Sequence, residues 1–244
     1  MRIPRLHVPQ PLVQGSTLVL DKQSAHHIRQ VLRLAGGAAL RVFDGRGSEH
    51  AASLLAVGRS EVRIKIGASL AVIPEPAVSI TLAQGIPRSE RMDFILQKTI
   101  ELGVTRIQPL WMQRSQGRVR GERLERRMQH WQRVMINACE QSGRSTLPNL
   151  KMPVGFLSWA QTAQSDGLLL LLDPRGEHTL NTLRPPGKSI VLLVGPEGGI
   201  SPEEQNLAIR AGFTALRMGP RTLRTETAAL AALAGLQLLW GDLR

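Results

Sequence analysis

Residues 191–194 read Val-Leu-Leu-Val, an unbroken apolar run that leads straight into Gly-Pro-Glu-Gly-Gly at 195–199. A half-buried strand alternates apolar and polar side chains, so a run that is apolar at every position predicts a strand covered on both faces. That is the condition of a parallel sheet flanked by helices. Ser201, Pro202 and Glu204 then announce a helix: serine caps, proline takes the first helical position and glutamate completes a capping box. A second strand-like run, 214–218, ends likewise in Gly219-Pro220, ahead of Leu-Arg-Thr-Glu-Thr at 223–227. In open α/β sheets ligands bind beyond the carboxyl ends of strands, so the turns 195–199 and 219–223 can wall one pocket.

The chemistry of these turns narrows the ligand. Gly195, Gly198 and Gly199 remove side chains where a backbone bends sharply or approaches something closely. The spacing is neither a phosphate loop, which needs a lysine and a hydroxyl after its last glycine, nor the dinucleotide fingerprint. A flat, largely uncharged ligand such as an adenosine, held by backbone amides and carbonyls, suits it; a tight strand-to-helix turn accounts for the same glycines. Thr225 is placed to cap the final helix, with Glu226 near its positive end. Arg224 precedes that helix N-terminus, where the dipole disfavours a cation, so Arg224 reads as functional.

The alternation extends over most of the chain. From residue 78 strands at 78–83, 104–110, 168–172, 190–194 and 214–218 alternate with helices at 90–102, 122–142, 202–211 and 228–240, the pattern of a mainly parallel sheet. The last helix is apolar nearly all round apart from Gln237, which predicts burial on every side, in the core or against another subunit. Before it, Ile73-Pro74-Glu75-Pro76 breaks both strand and helix and sets a boundary between domains 1–72 and 73–244. The first domain carries short β-like runs at 17–20, 40–43, 52–57 and 62–66 with one helix at 24–34.

Charge points to the partner. Lys plus Arg number 31 against 19 Asp plus Glu, a net charge of +12, and apart from Lys22, Lys65, Lys98, Lys151 and Lys188 the cations are arginine. Arginine grips phosphate bidentately and stacks on bases, so an RNA partner is expected, although GC-rich coding gives the same arginine bias. The basic stretch from Arg114 through Arg118 and Arg120 starts in a glycine-containing loop suited to phosphate. Cys139 is the one cysteine and the histidines show no ligand spacing, so neither a disulfide nor a metal site is expected. No apolar run spans a membrane and the N-terminus lacks a signal-peptide core, so the expected location is cytoplasmic.

Leu-Leu-Val-Gly-Pro-Glu-Gly-Gly at 192–199, Leu-Arg-Met-Gly at 216–219 and Leu-Arg-Thr-Glu-Thr-Ala at 223–228 occur together with the segment 84–104 and Asn-Ala-Cys-Glu-Gln-Ser-Gly-Arg at 137–144. In that order they resemble the RsmE family of bacterial ribosomal RNA methyltransferases, SPOUT-class enzymes that methylate N3 of one uridine in 16S ribosomal RNA with S-adenosylmethionine. The family usually has lysine and glycine where this chain has Arg88 and Ser89. The resemblance implies a PUA-like β-barrel over 1–72, a SPOUT domain with a C-terminal trefoil knot over 73–244, and a homodimer. It places S-adenosylmethionine at Leu171, Leu172 and Asp173, at Val194, Gly195, Pro196, Glu197, Gly198 and Gly199, and at Met218, Gly219, Leu223, Thr227 and Ala228. Arg224 and Glu226 are the expected catalytic residues, Glu226 either orienting the guanidinium or accepting the proton. Arg2, Arg5, Arg29, Arg33, Arg88, Arg114, Arg118 and Arg120 are the expected RNA contacts. A non-catalytic ribosomal RNA-binding factor, a SPOUT enzyme with a different RNA target and a nucleotide-phosphate enzyme are the competing readings.

Overall fold

The computed structural model describes residues 3–163 and 166–243. Its chain divides into two compact units, Met1–Pro74 with Ile136–Leu147, and Glu75–Met135 with Pro148–Arg244.

The first unit is built on a five-stranded sheet. The strands are β1 (Arg5–His7), β2 (Thr17–Val19), β3 (Ala39–Phe43), β4 (Glu49–Val57) and β5 (Val62–Ser69), in the order β1-β3-β4-β5-β2. Only β1–β3 is parallel. In β5 the alternation Val62, Ile64, Ile66 turns one face onto a core that includes Leu6, Ile28, Leu40 and Leu54. The expected helix over 24–34 is split. A short α1 (Lys22–His26), capped by Asp21 accepting from the Ser24 N–H at 2.8 Å, passes into a π-helical turn, His27–Leu32, which Arg33 ends with φ 51°.

The second unit carries a parallel sheet. Its longer elements are β6 (Ser79–Gly85), α2 (Ser89–Glu101), β7 (Arg106–Trp111), α3 (Glu122–Ser142), β10 (Leu168–Leu172), β11 (Ser189–Val194), α5 (Pro202–Arg210), β12 (Thr214–Leu216) and α6 (Thr225–Trp240). Two-residue strands β8 (Asn149–Leu150) and β9 (Val154–Gly155) and the five-residue α4 (Phe156–Ala160) come between α3 and β10. The strand order is β12-β10-β11-β6-β7-β8, with β9 also on β7, and every recorded pairing is parallel. The α/β class expected from the apolar runs is the class that forms. All but one residue of β11 is buried, as a strand covered on both faces requires.

α6 departs from its expected pattern. Its one mid-helix polar residue, Gln237, is fully buried and donates to the Leu102 carbonyl at 2.9 Å, while Leu238 is 58% exposed. No helix among the described residues is long and apolar enough to cross a membrane.

Candidate functional site

Because β10 pairs with both β11 and β12, the chain ends of these three strands come to lie side by side, Leu171 opposite Leu193 and Ala215. Beyond them opens a cavity of about 360 Å³. Leu171, Leu172 and Asp173 line it from the first strand end. Val194, Gly195, Pro196, Glu197 and Gly199 line it from the second, and Met218, Leu223, Arg224 and Ala228 from the third segment. Gly198, Gly219 and Thr227, expected there too, are not among the lining residues.

Backbone geometry explains the glycines. A Cβ on Gly195 would lie 2.6 Å from Ile200 Cγ1, so the turn closes only without a side chain, and Gly199 takes φ +73°. Gly198 serves a different neighbour: a Cβ there would lie 3.0 Å from Arg114 Cβ, and Arg114 Nη1 donates to the Gly198 carbonyl at 2.8 Å. Ser201 and Glu204 form the expected capping box. Glu204 also accepts the Gln113 N–H at 2.8 Å, so one buried carboxylate fixes both the helix start and the basic loop. Glu197 is held likewise, by the Arg88 N–H at 2.9 Å and by Arg91 at 3.4 Å.

The third segment requires a correction. Arg224, not Thr225, is the N-cap of α6, with φ −65° and ψ 155° and no side-chain cap hydrogen bond. Thr225 begins the helix, and its hydroxyl donates to the Gly195 carbonyl at 2.6 Å. Gln84, fully buried at the end of β6, donates from Nε2 to Thr225 Oγ1 at 3.0 Å and lies 3.3 Å from the Gly195 carbonyl. The two turns identified in sequence are thus joined through a glutamine more than a hundred positions upstream.

The cavity rim is cationic. Arg91, Arg175, Arg221 and Arg224 line it, against two carboxylates, Asp173 and Glu197. Arg91 is paired with Glu197, and Arg175 lies 3.8 Å from Asp173, which also accepts from Gln205 Nε2. Among the described residues the Arg224 guanidinium has no recorded hydrogen bond or ion pair, and it is exposed. Glu226 does not line the cavity, and its Oε2 is buried without a hydrogen-bond partner.

Several lining residues escaped the sequence reading. Gln205 and Arg175 carry a faint signal, since Asp173 at a strand end needs donors and a turn-plus-helix start lies close by in the sheet. Arg91 carries none: it reaches the cavity because β6 neighbours β11, which no local pattern encodes.

The expected RNA arginines fare unequally. Arg2 lies outside the described residues. Arg5 is interior, its side chain 6% exposed: it pairs with Glu49 at 2.7 Å and donates to the Cys139 carbonyl at 2.5 Å. It is a structural counter-ion and presents no free charge to a phosphate. Arg41 also pairs with Glu49, at 2.7 Å, and the Ser145 hydroxyl donates to it at 2.6 Å. Burial alone would raise the Glu49 carboxyl, but these hydrogen bonds and the Arg5 and Arg41 charges outweigh it and hold the pKa below the ordinary value. Arg29 donates to the carbonyls of Gly58 and Arg59, Arg33 is exposed beside it, and Arg88 Nε donates to Gln116 at 3.2 Å. Arg118 and Arg120 are exposed.

Known proteins resemble the chain over its full length. Residues 74–237 match the model of the RNA methyltransferase domain, and residues 20–67 that of the RNA methyltransferase PUA domain. The ribosomal RNA small subunit methyltransferase E of Buchnera aphidicola subsp. Schizaphis graminum is 32% identical over 242 residues, covering 99% of this chain and 98% of its own. A ribosomal RNA small subunit methyltransferase E from Neisseria gonorrhoeae, solved bound to S-adenosyl methionine, superposes with a TM-score of 0.92 at 38% identity, covering 100% of both chains. A Legionella pneumophila protein solved with its cofactor SAM superposes with a TM-score of 0.95, again at 38% identity and 100% coverage of both.

Proposed function

The chain belongs to the RNA methyltransferase family that includes the small-subunit ribosomal RNA methyltransferase E enzymes, and on that premise we propose that it methylates N3 of a uridine in 16S ribosomal RNA with S-adenosylmethionine. The observation that carries this reading is the cavity at the ends of β10, β11 and β12. Its Gly195 turn admits no side chain, its walls are apolar, and an unpartnered guanidinium stands at its rim.

The residues present fit the cofactor. Leu171, Val194, Ile200, Leu216 and Met218 give an adenine-sized ring apolar surface, and the backbone at 195–199 supplies amides and carbonyls at its edge. Asp173, Arg175 and Gln205 are the polar groups for the sugar and amino-acid ends. S-adenosylmethionine, when bound, supplies an electrophilic methyl group on a sulfonium.

The chain's own part in the chemistry is to make uridine N3 a nucleophile. That nitrogen bears a proton at neutral pH and lies on the pairing edge, so the base is met unpaired or extruded. As the proton leaves, negative charge spreads onto O2 and O4, and Arg224, uncommitted to any other group, stabilises it where it develops. Glu226, outside the cavity lining and with its Oε2 buried, does not touch the base, so the proton leaves to solvent. RNA docking falls to the PUA-like module, 1–72, through Arg29 and Arg33, and to Arg88, Arg114, Arg118 and Arg120 of the domain 73–244. The enzyme acts in the cytoplasm as a homodimer. Calorimetry with S-adenosylmethionine, followed by methyl transfer to small-subunit RNA and mapping of the modified base, is the test. Saturable cofactor binding and a single N3-methyluridine are expected; cofactor binding with no RNA methylation would leave the binding-factor reading in its place.

A further inference from the structure

A second cavity, of about 270 Å³, opens between α2 and α3. Ser89 and Asp93, one turn apart on α2, line it together with Arg126, Arg127, His130 and Trp131 of α3. Arg91, on the other side of α2, lines the first cavity, so a single helix about 10 Å across separates the two.

Three of its groups lack what their chemistry calls for. The Arg127 guanidinium lies 5.9 Å from the ring centroids of both Trp111 and Trp131 and donates to the Gly117 carbonyl at 3.3 Å, with no carboxylate partner recorded among the described residues. Burial lowers its pKa from the ordinary arginine value, so this cation is partly desolvated without an anion to offset it. Asp93 Oδ2 pairs with His130 Nε2 at 2.6 Å, whereas Asp93 Oδ1 is buried and has no hydrogen-bond partner. A buried acceptor left unmade is costly, so the cavity is short of an N–H donor. Arg126, its side chain 73% exposed, is tied among the described residues to Glu122 alone, itself 84% exposed, and such a pair holds a guanidinium weakly.

We propose that this cavity is a subsite for one unpaired nucleotide of the substrate RNA, next to the nucleotide that is methylated. Its base lies on the Arg127 guanidinium, gives an N–H to Asp93 Oδ1, and leaves its phosphate to Arg126. Single-stranded RNA is read in this way, by stacking on aromatic or guanidinium planes and by hydrogen bonds to exposed base edges. The subsite rests on the methyltransferase reading above and deepens it by adding a determinant of sequence preference.

The test uses the full chain and ribosomal RNA fragments that vary the base at each position flanking the target. Wild type is expected to favour some bases at one such position. Asp93→Asn, which keeps the shape, should raise the RNA KM about tenfold, the order of one lost base contact, and flatten that preference to within about twofold. Arg127→Met should act likewise, and Arg126→Gln should lower the slope of log affinity against log salt by about one. Cofactor affinity and kcat at saturating RNA should stay unchanged in all three. Wild-type preference retained in Asp93→Asn overturns the subsite alone, as does a fall in cofactor affinity that tracks the KM. A mononucleotide that binds the cavity while no RNA position shows a preference assigns it to a small ligand and overturns it as well. A wild-type chain that methylates no ribosomal RNA sinks the methyltransferase reading first.

Discussion

Arg224 is where the chemistry is most exposed to test. Its side chain caps nothing and pairs with nothing recorded, so Arg224→Ala should leave the melting temperature nearly unchanged while cutting single-turnover methylation about a hundredfold or more, the scale of a lost oxyanion donor. Normal turnover with weaker RNA binding would make it a phosphate contact. Glu49 is the opposite kind of residue. Its side chain is 2% exposed between Arg5 and Arg41, so Glu49→Gln leaves the buried Arg5 charge with only neutral acceptors while the 39% exposed Arg41 turns to water, and should destabilise by roughly 3 kcal/mol. Its folded pKa lies below the ordinary value, so its contribution is complete above that value and is lost as pH falls through the folded one. Glu140 titrates in the reverse sense. Burial raises it against the His7 N–H and the Arg5 charge, so its contribution fades as pH rises, and Glu140→Gln should be neutral or stabilising at pH 7. Urea melts at pH 4 and pH 7 separate the two. The place of Arg224 at the cavity was legible because a cation before a helix N-terminus breaks a local rule. The role of Arg5 was not, because its partners, Glu49 and the carbonyl of Cys139, lie far away in sequence.

At the scale of elements, apolar runs located β10 and β11 almost to the residue, and capping chemistry located α5. Two-residue strands such as β8 and β9 are too short to carry a period, and α6 starts at Thr225, ahead of the expected 228, because Thr225 reads as a cap and the apolar run begins only at Ala228. The join between turns was invisible for the same reason as Arg5: Gln84 reads as the polar end of a strand. Gln84→Met keeps the volume and removes the donor to Thr225 Oγ1 and the Gly195 carbonyl. The Thr225-to-Gly195 hydrogen bond survives, and the unpartnered Gln84 Oε1 goes too, so stability should fall by only about 1 kcal/mol. Cofactor Kd should rise about tenfold, the equivalent of one hydrogen bond. An unchanged Kd by calorimetry would show that the turns hold their shape unaided.

For the molecule as a whole, the proposed homodimer has its test on α6. Leu233 and Leu236 are each 1% exposed within the chain, so charge there breaks the fold, whereas Leu238 and Leu239 are 58% and 39% exposed on the same helix. Leu238→Glu with Leu239→Glu should yield a folded monomer by light scattering and circular dichroism; a dimer that persists places the interface elsewhere. The RNA partner was legible from the net charge of +12. The inclusion of Ile136–Leu147 in the first compact unit was not, because α3 reads as one uninterrupted helix. Removing residues 1–72 would therefore also strip Ser145 and the Cys139 carbonyl of Arg5 and Glu49, so truncation is a poor probe of RNA docking.

The link from Gln84 through Thr225 to the Gly195 carbonyl also bears on how such a site can be inherited or exchanged. Three segments that look independent in the chain must stay in register, since a turn of another shape carries the Gly195 carbonyl away from the Gln84 and Thr225 donors, even though a change at Gln84 alone leaves the Thr225-to-Gly195 hydrogen bond intact. A chimera that imports a relative's 195–199 turn alone should inherit the donor's sequence without its cofactor affinity, and recover that affinity only when positions 84 and 225 come from the same parent.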